Sequence, residues 1–345
     1  MTKKQLDNKK FFVTGGAGFI GSEFIIQILE KYKTKVLNLD KISPQSSPIF
    51  LEGLKNYKLV QGDLIDSELV KSSLSSFQPD FIIHFAAESH VDRSISSPRD
   101  FVDSNIIGTF NLLDSLRALI DEGILSEEIR LLNVSTDEVY GSLSLKDKPF
   151  TENSQYDPSS VYSASKVSSD MLVNSFLRTY GLRCQTTHCS NNYGPRQFPE
   201  KLIPFSLYSF LSNLPVSIYG DGTNIRDWIF VKDHVLCLIA IMENDFIPGH
   251  FNIGSSQEMS NNEIVESIKN ILINSGKYDH LDYKVEFVED RLGHDFRYAI
   301  DSGKSKDLFD WEPAYKFDSA LEVTIDWYLE NIDWLKESIE RINKK

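Results

Sequence analysis

Short apolar runs alternate with amphipathic stretches through the first part of the chain. Phe11-Phe12-Val13, Val36-Leu37-Asn38-Leu39, Lys58-Leu59-Val60, Phe81-Ile82-Ile83 and Leu131-Leu132-Asn133-Val134 read as strands, apolar enough to be buried on both faces. Between them, Ile20 to Tyr32 and Glu68 to Phe77 carry a helical period. This alternation predicts β-α-β units with right-handed crossovers and a parallel sheet. Ser97-Pro98 opens a long helical pattern reaching about Ile120, with proline at the first helical position. Its apolar positions, Phe101, Val102, Ile106, Phe110, Leu113, Leu116 and Leu119, form a stripe wider than one sheet face needs. That width admits a homodimer face beside the core.

The pattern changes after residue 190. Residues 191–227 are rich in Pro, Gly and Asn. Trp228 to Met242 reads as one more strand and helix, and from about Ser256 a helix, a strand and a terminal helix follow. The expected fold is α/β: a doubly wound parallel Rossmann sheet over residues 1–190, with residues 228–255 returning to it. A smaller, discontinuous α/β substrate lobe is expected in residues 191–345.

Composition narrows the partners. The 345 residues are 41% apolar and 25% charged, an ordinary globular balance. Lys plus Arg is 36 against 50 for Asp plus Glu, a net charge of −14, which argues against nucleic acid and anionic membrane as partners. Cys184, Cys189 and Cys237 make an odd number with no C-x-x-C pair, as expected in a reducing compartment. The start is polar and lysine-rich, and the longest apolar run, Val235 to Met242, falls far short of the ~18 residues a membrane span requires. A cytoplasmic protein is expected. The histidines and cysteines show no metal-binding spacing, so no metal site is expected.

The first chemistry lies in Gly15-Gly16-Ala17-Gly18-Phe19-Ile20-Gly21, directly after the first strand. Gly15, Gly18 and Gly21 permit a tight turn, close approach of backbone to a pyrophosphate, and packing of the next helix on the sheet. Phe19 and Ile20 open that helix, whose free N–H groups would face the phosphates. Asp40 ends the second strand nineteen residues after Gly21. A carboxylate there accepts from a ribose 2′-hydroxyl and repels a 2′-phosphate, which favours NAD over NADP. Lys41 follows it and weakens that preference slightly. Asp63 and Leu64 after the third strand, and Ala86 and Ala87 after the fourth, complete the expected NAD contacts.

The second lies in Tyr162 and Lys166, a Y-x-x-x-K pair on one helix face. Tyrosine is a poor base at its ordinary pKa of about 10, and a nearby Lys ammonium together with oxidised nicotinamide favours its phenolate. Ser135-Thr136 stands at a strand end at a suitable distance upstream, where the Thr136 hydroxyl can share a substrate oxygen with Tyr162.

Together these segments resemble the extended short-chain dehydrogenase/reductases. His84-Phe85-Ala86-Ala87-Glu88-Ser89-His90-Val91-Asp92-Arg93-Ser94, Ser135-Thr136-Asp137-Glu138-Val139-Tyr140-Gly141 and Asn191-Asn192-Tyr193-Gly194-Pro195 sharpen the likeness. So do residues 197–204, Tyr219-Gly220-Asp221-Gly222, Arg226-Asp227-Trp228, residues 290–295 and residues 297–301. The chain looks like a nucleotide-sugar 4,6-dehydratase, most of all the branch acting on dTDP-glucose. The resemblance implies oxidation at C4 of a nucleotide-diphosphate hexose, loss of water across C5 and C6, and return of the hydride to C6. It implies Glu138 as the C5 base, Asp137 as the acid at O6, and NAD as the recycled cofactor. Neighbouring side chains of a regular strand point to opposite faces, so this acid pair must sit where the strand ends.

By the same resemblance Glu88, Ser89 and His90 flank the sugar. Asn191, Lys201, Arg226 and Arg291 contact the diphosphate and nucleotide, Tyr219 stacks on the base, and His294 and Tyr298 are further contacts. The homodimer is expected to pair the helices at 98–120 and 160–180. Three departures bear on the substrate: His188 stands where related enzymes carry Arg, Arg196 where they carry Tyr, and Ile42 to Phe50 replaces their usual tract. UDP-glucose and UDP-N-acetylglucosamine therefore remain alternatives. An epimerase, a decarboxylase and a non-catalytic NAD-binding regulator are the more distant ones.

Overall fold

The structure is a computed structural model that describes residues 6–343; residues 1–5 of the polar start, and 344–345, lie outside it. Seven parallel strands form the large sheet: β1 (Lys10–Thr14), β2 (Lys35–Asp40), β3 (Tyr57–Gln61), β4 (Phe81–His84), β5 (Arg130–Thr136), β6 (Arg183–Cys189) and, later in the chain, β10 (Gly249–Ile253). Their spatial order is β10-β6-β5-β4-β1-β2-β3. The order reverses between β1 and β4, and a crevice opens at such a reversal beyond the carboxyl ends of the strands.

Strand alternation feeds two cores. Phe11 and Val13 of β1 pack with Phe24, Ile25 and Ile28 of α1 (Phe19–Lys31) on one face. Phe12, between them, packs on the other face with α2 (Ser67–Phe77). Each such large side chain, fully buried, stabilises the fold by about 1.5–3 kcal/mol.

The predicted continuous helix from Pro98 is interrupted. A short α3 (Val91–Ser96), not expected from the sequence, precedes α4 (Pro98–Phe101). A π-helical turn, Val102–Ile107, then leads into α5 (Gly108–Asp121). The widened turn directs Asn105 inward, where its amide donates to the Glu88 carbonyl at 3.0 Å and to Ser165 Oγ at 2.8 Å. Such bulges occur where a side chain is needed off the regular helical pitch. After α5 and β5, α6 (Val161–Tyr180) packs against both β5 and β6.

The remaining elements build a third core. β7 (Asn191–Tyr193), α7 (Leu202–Leu211), β8 (Val216–Tyr219) and β9 (Ile225–Phe230) are followed by α8 (Val231–Glu243) and, after β10, by β11 (Glu258–Ser260). α9 (Asn261–Asn274), β12 (Val285–Val288), α10 (Gly303–Phe309), α11 (Phe317–Glu330) and α12 (Ile332–Asn343) complete the chain. A three-stranded sheet runs β11-β9-β7 and a two-stranded one β12-β8. Tyr193, Phe210, Trp228, Ile268, Leu321 and Tyr328 pack between them and the helices.

The return to the large sheet therefore starts later than residue 228: Trp228 is in the small sheet, while Ile229, α8 and β10 pack on the first core and β10 joins the large sheet. Asp227 is the reason. Its carboxylate accepts from Ser255 N at 3.0 Å and Gln257 N at 2.8 Å, which ties β9 to the segment leading into β11.

Candidate active site

A cleft of about 310 Å³ lies at the reversal of strand order. Every residue expected to hold the cofactor lines it: Gly15, Gly18, Phe19, Ile20, Gly21, Asp40, Lys41, Asp63, Leu64, Ala86, Ala87, Tyr162 and Lys166. The glycine turn fits a dinucleotide on steric grounds. Gly15 has φ +70°, and a Cβ there would meet the Ala86 backbone at 2.6 Å; one on Gly21 would meet the Gly15 carbonyl at 2.5 Å. No side chain caps α1 at Gly18 and no acid stands in its first turn, so its leading N–H groups remain for an anion.

Asp40 has a structural duty as well. Its Oδ2 accepts from Ala17 N at 2.9 Å and its Oδ1 from Ile42 N at 2.8 Å, which joins the glycine turn to the following loop. Lys41 is not free to meet a phosphate: it pairs with Glu88 across the cleft at 2.6 Å. Asp63 caps its own loop by accepting from Ile65 N at 3.1 Å.

The catalytic candidates converge at the other end of the cleft. β5 is buried throughout and stops at Thr136. A single 3-10 turn, Asp137–Tyr140, follows; Thr136 caps it by accepting from Glu138 N at 3.3 Å. This turn lets two consecutive acids line one cleft. Gly141 ends it at φ +86°, where a Cβ would meet the Asp157 carbonyl at 2.5 Å.

The two acids differ electrostatically. Asp137 is 2% exposed, and its Oδ2 has no partner among the described residues. Burial first, then the charge of Glu138, hold its carboxyl well above the ordinary range, which favours its protonated form. Glu138 is also raised by burial, but Arg291, Lys201 and Arg226 pull it back toward the carboxylate. The two adjacent carboxyls are thus raised to different extents.

Tyr162 and Lys166 occupy the first two turns of α6. Ser160 and Ser163 fix that end reciprocally: Ser163 N donates to Ser160 Oγ at 3.1 Å and Ser160 N to Ser163 Oγ at 3.0 Å. The expected ease of ionising Tyr162 needs correction. Burial, followed by the charge of Glu138, raises its phenol well above the ordinary value, and only the Thr136 hydrogen bond opposes this. Lys166 donates to the Val134 carbonyl at 2.9 Å, and burial lowers its own pKa. Both groups leave water together, and desolvation disfavours the charged form of each.

The substrate-side residues divide. Glu88, Ser89, Asn191 and Lys201 line the cleft. His90, Tyr219, Arg226, Arg291, His294 and Tyr298 are not among its lining, although Arg226, Arg291 and Tyr298 are near enough to Glu138 to interact with its charge. Arg226 was expected to offer its fork to a diphosphate. It is 4% exposed, and buried donors require partners. Its fork donates to the carbonyls of Ile225, Phe296 and Asp295, and its plane lies 4.3 Å from the Tyr298 ring. Tyr219 donates to Asp92 at 3.1 Å, and Arg291 lies 4.0 Å from Asp92. His294 contacts Asp290 at 2.6 Å, and Tyr298 donates to Asp295 at 2.5 Å.

The three departures keep away from the sugar end. His188 is fully buried behind β5, and Arg196 pairs with Glu23 of α1. Of the altered tract, Ser43, Gln45 and Ser46 line the cleft beside Asp40.

Several residues in or supporting the cleft escaped sequence reasoning. Arg93 lies 3.6 Å from Glu88 and 3.4 Å from Glu200, so an ion-pair chain from Lys41 crosses the mouth. Asn105 holds the Glu88 backbone through the π turn. Its signal was an amide in an otherwise apolar helical stripe. Cys189 also lines the cleft, but burial pushes its thiol up to about 12, so it is not a nucleophile.

Comparison with known proteins agrees with this geometry. The family model described as GDP-mannose 4,6 dehydratase matches residues 12–324. A dTDP-glucose 4,6-dehydratase of Xanthomonas campestris is 43% identical over 336 residues, 94% of this chain and 95% of the relative. A dTDP-glucose 4,6-dehydratase from Bacillus anthracis, solved in complex with NAD, superposes with a TM-score of 0.84 at 38% identity, covering 96% of this chain and 99% of its own. A UDP-glucose 4-epimerase from Thermotoga maritima, solved with UDP-glucose, has a TM-score of 0.83 at 28% identity, covering 94% and 99%. Fold alone thus does not separate dehydration from epimerisation. With the match spanning nearly its whole length, the chain belongs to the GDP-mannose 4,6 dehydratase family, as an extended short-chain dehydrogenase/reductase.

Proposed function

We propose that this protein is an NAD-dependent dTDP-glucose 4,6-dehydratase, forming dTDP-4-keto-6-deoxyglucose and water. The observation that carries the reading is the acid pair at the end of β5. The Asp137 carboxyl is raised well above the ordinary range, and Glu138 is raised less because three cations oppose its burial; both stand beside Tyr162 in one cleft. An epimerase has no use for this pair, because its reaction removes no water.

Bound NAD, cradled by the Gly15–Gly21 turn, Asp40 and Ala86, supplies a hydride acceptor for C4 and later a hydride donor for C6. Tyr162 would take the C4 hydroxyl proton as its phenolate, a form that burial disfavours and that the Thr136 hydrogen bond and the positive charge of oxidised nicotinamide would favour. The resulting C4 ketone makes the C5 proton acidic; Glu138 accepts it and, once the hydride has reached C6, returns a proton to C5. Asp137 delivers its proton to the C6 hydroxyl, which leaves as water. Lys201, Arg291 and Arg226 place positive charge beside Glu138 and stabilise its carboxylate.

The test is incubation of the purified protein with dTDP-glucose, UDP-glucose and UDP-N-acetylglucosamine, followed by product mass. Loss of one water from dTDP-glucose is expected. An unchanged mass with an inverted C4 centre would make the protein an epimerase, and dehydration of a UDP-sugar alone would reassign the substrate.

Two further features belong to this reading. Val102, Ile107, Phe110, Val161 and Met171 are exposed apolar residues at the helices expected to pair, which supports a homodimer. No helix among the described residues is long and apolar enough to cross a membrane, and the three cysteines are free and buried. Both features support a cytoplasmic location.

A further inference from the structure

A buried polar cluster behind β5 takes no part in the chemistry just described. Asp170 stands one helical turn beyond Lys166 on α6 and is 3% exposed. Its Oδ1 accepts from Asn133 Nδ2 at 2.9 Å, and its Oδ2 from Ser135 Oγ at 2.9 Å. Between those two residues, the Val134 carbonyl accepts from Lys166 Nζ. One face of α6 therefore grips three consecutive residues of β5, immediately before Thr136 and the acid pair. His188 lies directly across from Ser135 on β6 and has no exposed surface. Its Nε2 is 3.0 Å from Asp170 Oδ2, and its Nδ1 is 3.0 Å from the Tyr140 hydroxyl.

Hydrogen-bond accounting decides where the ring protons are. Asn252 Nδ2 donates to the Phe150 carbonyl at 3.2 Å, which leaves Oδ1 as the atom facing Tyr140. The Tyr140 hydroxyl donates its one proton to that Oδ1 at 2.9 Å. Toward His188 the Tyr140 oxygen can then only accept, so Nδ1 carries a hydrogen. On the other side, Nε2 faces a carboxyl oxygen, and two lone pairs at 3.0 Å would repel. A proton therefore sits on that contact too. Both Asp170 oxygens already accept hydrogen bonds, Oδ1 from Asn133 and Oδ2 from Ser135, as a carboxylate does, which places this proton on Nε2. The other titratable groups near the ring are the Tyr156 hydroxyl, 3.4 Å from Nε2, and His250, whose ring centre is 5.3 Å away. His250 donates its own Nε2–H to the Glu152 carbonyl at 2.7 Å.

We propose that His188 is a positioning residue for the reaction: a buried imidazolium that fixes the Asp170 carboxylate and, through it, the end of β5 and the charge of Lys166. A neutral ring keeping its Nδ1 hydrogen would set a lone pair against Asp170. The carboxylate would then turn away and release Ser135, one residue before Thr136. The step affected rests on the dehydratase reading; the charge of the ring does not.

Two measurements test the proposal on the full chain. In ¹⁵N-histidine NMR of the wild type at neutral pH, one ring should show both nitrogens protonated, and that signal should vanish in His188→Gln. In kinetics, His188→Gln should lower kcat with little change in KM. A hydrogen bond to a charged group contributes about 1.5–3 kcal/mol, which corresponds to a loss of about tenfold or more. His188→Arg, a fixed cation, should return much of that rate; no rescue would assign the loss to shape and overturn the charge argument. A neutral His188 ring in the wild type, or wild-type kcat in His188→Gln, would also overturn it. If instead the wild type turns over no nucleotide sugar, the dehydratase reading fails while the ring signal still reports the pair.

Discussion

Asp137 and Glu138 share a backbone turn yet face different surroundings, and their predicted losses differ accordingly. Glu138→Gln should stall the protein after C4 oxidation, with the nicotinamide reduced and the sugar not dehydrated. Asp137→Asn should slow departure of the C6 hydroxyl while C5 still exchanges with deuterated solvent. General acid or base loss costs about 10²- to 10⁴-fold. Single-turnover absorbance at the nicotinamide band reads both, and Tyr162→Phe should show no reduction at all. Dehydration by Glu138→Gln at near wild-type rate would remove the assigned base. The same shifts set the pH profile. Activity should fall as the pH drops through the raised Glu138 value and as it rises through the higher Asp137 value. Stability carries its own sign. An unfolded Asp ionises near 3.9, whereas folded Asp137 keeps its proton well above that. The unfolded state is therefore favoured as pH rises between the two values. Asp137→Asn should raise Tm at pH 7, and the difference should shrink as the pH falls toward about 4. Thermal unfolding at the two pH values checks this.

At the scale of elements, two local devices hold the site. The Ser160–Ser163 capping box sets the first turn of α6, which carries Tyr162. Ser160→Ala should cost about 1 kcal/mol in unfolding free energy, and it should reduce kcat more than a surface cap such as Ser260→Ala does. The Gly15 turn is the second. With φ +70° and the Ala86 backbone 2.6 Å from any added Cβ, Gly15→Ala should fold poorly around the cradle and copurify without NAD. Absorbance of the nucleotide released on denaturation measures that directly, and full NAD occupancy would refute it. The glycine turn was legible in the sequence, because its spacing is a local signal. The π turn at Val102–Ile107 was not. Its cause, the demand of the Glu88 backbone and Ser165 for the Asn105 amide, comes from segments distant in sequence.

The whole molecule brings a large sheet and a third core around one cleft, and leaves an apolar surface on its outer helices. Val102, Phe110 and Met171, on the helices of the proposed dimer face, are 36%, 42% and 45% exposed. Sedimentation at micromolar concentration should give twice the chain mass, and Phe110→Glu with Met171→Glu should give a monomer. A wild-type monomer would refute the pairing. The lobes also meet within the chain, through Arg196 with Glu23 and Arg93 with Glu200. Those contacts join residues far apart in sequence, and no spacing rule anticipates them.

The sequence by itself determined the strand and helix alternation, the glycine cradle, the acid pair after a strand and the Tyr162–Lys166 spacing. All of these are set by neighbours within a few residues, where hydrophobic period and backbone sterics act. Only the tertiary structure decided which charges are desolvated and which side chains are already taken. It turned Arg226 from an expected phosphate ligand into a buried donor to carbonyls, and it raised Tyr162. It also drew β9 out of the large sheet and placed His188 against Asp170. The physical reason is one and the same: desolvation and hydrogen-bond satisfaction depend on everything packed around a group, and a linear pattern carries no record of what lies across the fold.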